Sequence, residues 1–320
     1  HETHHVHKVL RECNRLGGVM RMHSPNIPPD SLNAEFELGL IAAQGTVRIP
    51  LRENEGLTIS ARRSFLNLLY ASWIKLDDVS LGYGLTDANL TYQNDRGRTR
   101  VELNAYYGGD KALTDGLEGM NLDVSWHNYL FAAEFKTDLE RRGVRQQGFS
   151  LTGYQSRTRL NITSTDGYSR SSIHTLRYNI SRDWMMDVNT RLRYGFHLQH
   201  HIVQPQVAEM DVSYDVTNKP VARQQATEAN IYVEAAINLP RNLTLTPAFK
   251  GTFYRQWRDN ALTCLYPDVS LTLTHETETG GRLALNVART HQYLHHTGYS
   301  SMGLPIEFYY AANKLWAPSE

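Results

Sequence analysis

LTISARRSFLNLL (residues 57–69), VSLGYGLTDANLTYQ (79–93), NDRG (94–97) and RTRVELNAYYGGD (98–110) decide the fold. The last run alternates. Val101, Leu103, Ala105 and Tyr107 fall on one face, and Arg100, Glu102, Asn104 and Tyr106 on the other. A period of two means a pleated strand with one apolar and one polar side. Asn94, Asp95 and Gly97 suit the dihedrals of a tight hairpin turn. The unit is strand, short turn, strand, then a long connection. Between 79 and 92 the apolar phase slips from Leu81, Tyr83 and Leu85 to Ala88, Leu90 and Tyr92, which predicts a β-bulge.

The rest of the chain repeats the unit. Three prolines make 24–30 a linker. Ala34, Phe36, Leu38 and Leu40 share a strand face, and Val47, Ile49 and Leu51 another. Residues 108–123 read as a long loop, and so do 205–220. Between them, strands carry Tyr129, Phe131, Ala133 and Phe135, then Leu176, Tyr178 and Ile180, then Leu192, Tyr194, Phe196 and Leu198. Alternation is cleanest in the last third. Ala229, Ile231, Val233, Ala235 and Ile237 oppose Asn230, Tyr232 and Glu234. Leu243, Leu245, Phe249, Leu271, Leu273, Leu283 and Leu285 are predicted to face outward, with Thr244, Thr246, Lys250 and Thr272 inward.

Short turns recur roughly every 40 residues, helix-period segments are absent, and about 13 strands follow one another in an up-and-down meander. The predicted fold class is all-β: an antiparallel meander forming part of a transmembrane outer-membrane β-barrel, open in this chain. One end of each hairpin carries a tight turn and the other a long loop, as in outer-membrane barrels. A soluble β-sandwich shares the alternation but does not require such one-sided loops.

Composition is compatible with either. There are 33 Lys+Arg and 33 Asp+Glu among 320 residues, a balance that gives no reason to expect nucleic acid as a partner. Mean hydropathy is −0.48. Barrel strands are apolar at alternate positions only, so a low mean does not exclude them. Cys13 and Cys264 lie far apart in sequence, and nothing in it says that they meet.

Several stretches resemble a TonB-dependent outer-membrane receptor of the Bacteroidota type. Residues 15–22 (RLGGVMRM) resemble the Gly-Gly strand that closes that family's plug domain. LGLI at 38–41 through IPL at 49–51 resembles the first barrel hairpin, and ISARRSF at 59–65 the next strand. YYGGDK at 106–111, WHN at 126–128, RTHQYLH at 289–295 and GLP at 303–305 are similar to later family positions.

The resemblance implies a barrel of about 22 strands occluded by an N-terminal plug, and import of a scarce nutrient energised by the inner-membrane TonB complex. Residues 1–30 would be the end of the plug and a linker, and 31–320 the N-terminal portion of the barrel. Partners would be outer-membrane lipid, the TonB complex through a plug segment, a small nutrient ligand (siderophore, cobalamin, glycan or peptide) and a surface lipoprotein. No cofactor and no enzymatic activity are implied. A passive porin or structural barrel is the alternative, and a soluble β-rich zinc enzyme or adhesin the third reading. The expected form is a curved open sheet whose first and last strands do not pair. Its unpaired edges would make a protein of this length aggregate rather than insert.

Candidate ligand residues are His291, Tyr293, His295 and His296, clustered near a strand end at the extracellular mouth, and Arg62. The simpler reading of the histidines, and of His197, His200 and His201, is a polar rim holding lumenal hydrogen bonds. Arg62 and Arg63 are adjacent in a strand, so only one can face the lumen. His1-Glu2-Thr3-His4-His5 satisfies the zinc-protease pattern, but no helix context or third ligand accompanies it, and no catalytic zinc is expected.

Overall fold

The computed structural model describes residues 28–65, 75–76, 79–117, 120–140, 143–162, 165–210, 222–258, 260–277, 280–298 and 307–319. The Gly-Gly stretch at 15–22, the HETHH motif and Cys13 lie outside the described residues.

One antiparallel sheet holds β1 (Asn33–Leu38), β2 (Ala42–Arg52), β3 (Glu55–Ser64), β5 (Val79–Asp95), β6 (Thr99–Leu117), β7 (Met120–Asp138), β8 (Val144–Ile162), β9 (Thr165–Met185), β10 (Thr190–Met210), β11 (Gln224–Leu239), β12 (Leu243–Gln256), β13 (Thr263–Glu276) and β14 (Arg282–Arg289). Each pairs with the next in that order, and a two-residue β4 (Lys75–Leu76) pairs with β5. These thirteen strands form the predicted meander, and among the described residues β1 and β14 are its edges. A small second sheet pairs β15 (Leu294–Gly298) with β16 (Glu307–Ala311).

Tight turns join β2–β3, β5–β6, β7–β8, β9–β10, β11–β12 and β13–β14, all at one end of the sheet. All but the β9–β10 turn use the left-handed region. Gly97 supplies it in the β5–β6 turn at φ +71°, and Arg241 and Asn242 adopt 65° and 55° in the β11–β12 turn.

Continuous register sorts side chains onto two faces. Thr91 lies opposite Asn104, Arg193 opposite Glu234, Asn230 opposite Thr252 and Lys250 opposite Asp268 on the inner face. Leu90 lies opposite Ala105, Phe249 opposite Val269 and Leu273 opposite Leu285 on the outer one. Lys250 is 1% exposed and Asp268 0%, whereas Phe249 is 43% exposed and Leu285 66%. Charge inside and leucine outside inverts the order of a soluble β-sandwich, as the predicted faces of β12–β14 require.

Three expectations need correction. Residues 108–123 are not a long loop: β6 runs on to Leu117 and β7 starts at Met120, because both flanking strands supply ladder partners. There is no bulge in β5, whose register with β6 runs unbroken from Ser80–Asp115 to Asp95–Arg100. The apolar phase slips because Tyr83 stays on the inner face, where its hydroxyl donates to Asp110 at 3.3 Å. Residues 205–210 continue β10, with a register shift between Gln204 and Val207 that takes Pro205 out of the ladder.

Candidate functional site

Because the polar phase points inward along much of the sheet, the concave wall collects many of its charges. At the tight-turn end Asp183 accepts from two arginines. Arg191 reaches it through Nε (2.6 Å) and Nη2 (2.7 Å), and Arg193 through Nη2 (2.5 Å) and Nε (3.1 Å). Arg193 also lies 3.6 Å from Glu234. Lys136, Arg177, Asn179, Arg193 and Tyr232 line a concave hollow of about 730 Å³ here.

At the other end the wall is covered. Residues 290–298 and 307–319, which carry β15 and β16, lie against it. β16 meets β9, β10 and β11. Tyr254 donates its hydroxyl to the carbonyl of Ala312 at 2.6 Å, and its ring stacks on Tyr293 at 4.8 Å. Leu294 packs with Tyr154, Ile173 and Val203, and Gln224 accepts from the Ala311 N–H at 2.8 Å. Under this cover lie ionisable groups shielded from water. Lys250 Nζ is 3.0 Å from Asp268 Oδ2, while Asp268 Oδ1 faces His291 Nδ1 at 2.6 Å and accepts its backbone N–H at 3.0 Å. His201 sits 3.4 Å from Glu228 and 2.9 Å from Thr175. Burial of such groups is tolerable only because each has a partner.

The rim of this cover encloses a cavity of about 530 Å³, lined by Arg223, Gln256, Arg258, Asn260, Tyr310 and Trp316 among others. Two guanidiniums and two aromatic rings can hold a small polar or anionic molecule by charge and stacking. Among the described residues no three His, Cys, Asp or Glu side chains are placed to hold a metal ion.

The predicted site residues separate. His291 is tied to Asp268, and Tyr293 is buried against Tyr254. His295 stacks on Tyr310 at 4.9 Å and so approaches the rim cavity through that ring, while His296 lies against Tyr309. Burial pushes His295 below the ordinary histidine range, opposed by a hydrogen bond with the Ala317 backbone. Arg62 is elsewhere, on the inner face of β3, where it holds Asp87 through Nε (2.9 Å) and Nη2 (2.6 Å). Its neighbour Arg63 points outward, as adjacency requires. His197 and His201 face inward and His200 outward, onto Thr227 at 2.9 Å. Sequence reading missed the rim arginines and Trp316, because no period links residues brought together from three separate segments.

On the outer face a girdle marks the strands' upper half. Tyr107 bonds His127 at 3.0 Å and Tyr129 bonds His174 at 2.7 Å. The Tyr129 ring reaches β9 by lying across Gly153, where any Cβ would collide with it. Trp257 Nε1 donates to Thr227 at 3.0 Å and carries Arg255 over its ring.

No protein-family model matches the chain, and no curated protein matches it by sequence. Solved structures do. The chain is similar to the alcaligin outer membrane receptor FauA from Bordetella pertussis, with TM-score 0.56 and 11% identity over 88% of this chain and 47% of that one. It is similar to BauA, the ferric preacinetobactin receptor from Acinetobacter baumannii, with TM-score 0.58 and 8% identity over 87% and 50%. The chain thus spans about half the length of the solved structures it matches, and at these identities the likeness is one of fold.

Proposed function

We propose that the chain is wall from an outer-membrane, TonB-dependent receptor that imports a scarce nutrient. The observation that carries this is the inverted sheet. Its outer face is apolar between the tight turns and the Tyr/His/Trp girdle, and its inner face holds the charges. About ten residues separate turn from girdle, which at ~3.3 Å per residue and a ~40° tilt gives a band ~25 Å tall. That is the height of the lipid-facing zone of an outer-membrane barrel.

The two solved neighbours lend the class of cargo. One is named for alcaligin and the other for ferric preacinetobactin, so a siderophore is the first of the four nutrients to try. Binding would occur at the rim cavity, with Arg223, Arg258 and Trp316 in contact and His295 behind Tyr310. A plug, the TonB complex and a surface lipoprotein would be partners of the whole receptor. No covalent chemistry is involved.

The test is uptake in the native cell. The protein should sediment with the outer membrane, and deleting its gene should abolish uptake of one labelled nutrient, as should loss of the TonB complex. Leakage of many small solutes regardless of TonB would establish a porin instead. Recovery in the soluble fraction would overturn both.

A further inference from the structure

On the outer face of β8 and β9, Arg157 and Arg170 stand directly opposite each other. Both side chains are exposed, and neither makes an ion pair with any described residue. Like charges directly across a ladder repel and are destabilising on their own. The positive field of Arg170 also reaches His174, four residues along the same strand. By contrast, the nearby outward Lys111 has its own carboxylate, Asp123 at 3.1 Å.

The position of the pair is as informative as its charge. It lies four residues above the rung of His174, which Tyr129 meets in the girdle, and the apolar residues Leu151, Leu176 and Tyr178 lie below that rung. A second cross-strand pair of the same two strands, Arg145 opposite Arg182, lies twelve residues lower, by the tight turns. Twelve residues at ~3.3 Å, tilted by ~40°, rise ~30 Å, the interval between the two headgroup layers of a bilayer.

We propose that Arg157 and Arg170 bind the phosphate groups of lipid headgroups in the leaflet at the girdle end. A phosphate bridging the two guanidiniums turns the repulsion into two charge-assisted forks, for which arginine is shaped. The occupant is a membrane lipid rather than free phosphate, because the apolar band of the same two strands, starting at Leu151 and Leu176 below the girdle, is where its acyl chains would lie. This rests on the membrane placement proposed above.

The experiment uses the whole protein extracted from its native membrane in mild detergent, with bound lipid counted by native mass spectrometry. Recovery in the membrane fraction reads the placement separately. If the protein is not there, the membrane reading fails, and this site with it. If it is there, added bisphosphorylated lipid A should bind, and the same lipid stripped of phosphate should bind about tenfold more weakly. Excess inorganic phosphate should not displace it. Arg157→Gln with Arg170→Gln should cause a similar loss, and the two lysine replacements should retain part of the binding. Equal binding of the stripped lipid would overturn the proposal without any variant having to fold. So would equal binding by the folded glutamine variant, or displacement by phosphate alone.

Discussion

Two cross-strand ion pairs sit on the same concave wall in opposite circumstances. Arg48 on β2 reaches Glu35 on β1 at 2.6 Å, with side chains 39% and 61% exposed. Lys250 on β12 reaches Asp268 on β13 at 3.0 Å, with side chains 1% and 0% exposed. Both pairs follow from the same alternation in neighbouring strands. What separates them is the cover formed by residues 290–298 and 307–319, which lies over one end of the wall and leaves β1–β3 open. Burial of a barrel's inner face is thus conferred by what is seated on it, and an identical local pattern yields either a solvated pair or a desolvated one.

The comparison is broken most directly at Asp268. Asp268→Ala leaves Lys250 without its carboxylate and the His291 N–H without its acceptor, and should cost about 3–5 kcal/mol in urea unfolding. Replacing Lys250 by Met and Asp268 by Leu together should recover most of that loss. Tyr254→Phe is next. It strands the Ala312 carbonyl under the cover, at about 1–3 kcal/mol, and should expose 290–319 to protease before the rest of the chain. Acidification should act in the same direction. His295 in the docked segment has a lowered pKa, so below about pH 6.5 the released segment takes up protons that the docked one refuses. Docking should weaken as pH falls through that range and be unaffected above it, as Trp316 fluorescence would report. Least should happen at Glu35. Glu35→Ala is expected to change stability by no more than about 1 kcal/mol, and an effect equal to that of Asp268→Ala would erase the contrast.

Much of the wall was legible because lipid-type and lumen-type residues alternate strictly in β11–β14. Leu271 and Leu273 against Thr272 and Thr274 leave little freedom of register. The reading failed where its assumption ends. Tyr83 lies above the girdle, where an apolar residue need not face outward, and its inward turn mimicked a bulge. Gly108, Gly109 and Asp110 looked like loop, yet the ladders of β5 and β7 hold them extended. The candidate site was least legible. His291 and Tyr293 stand close in sequence, but their partners Asp268 and Tyr254 come from other strands. The fold-back that joins them has no periodic signature.

The direction of the strands has a consequence for how the wall can be completed. Thirteen strands in unbroken antiparallel series reverse twelve times, so β1 and β14 run the same way. Joined to each other, they would make a parallel seam, with slanted rather than perpendicular hydrogen bonds. Two copies of this arc in one orientation would meet in two such seams. A cylinder with antiparallel seams throughout therefore needs a complement with an odd number of strands, and no arrangement of identical, equally oriented arcs can supply it.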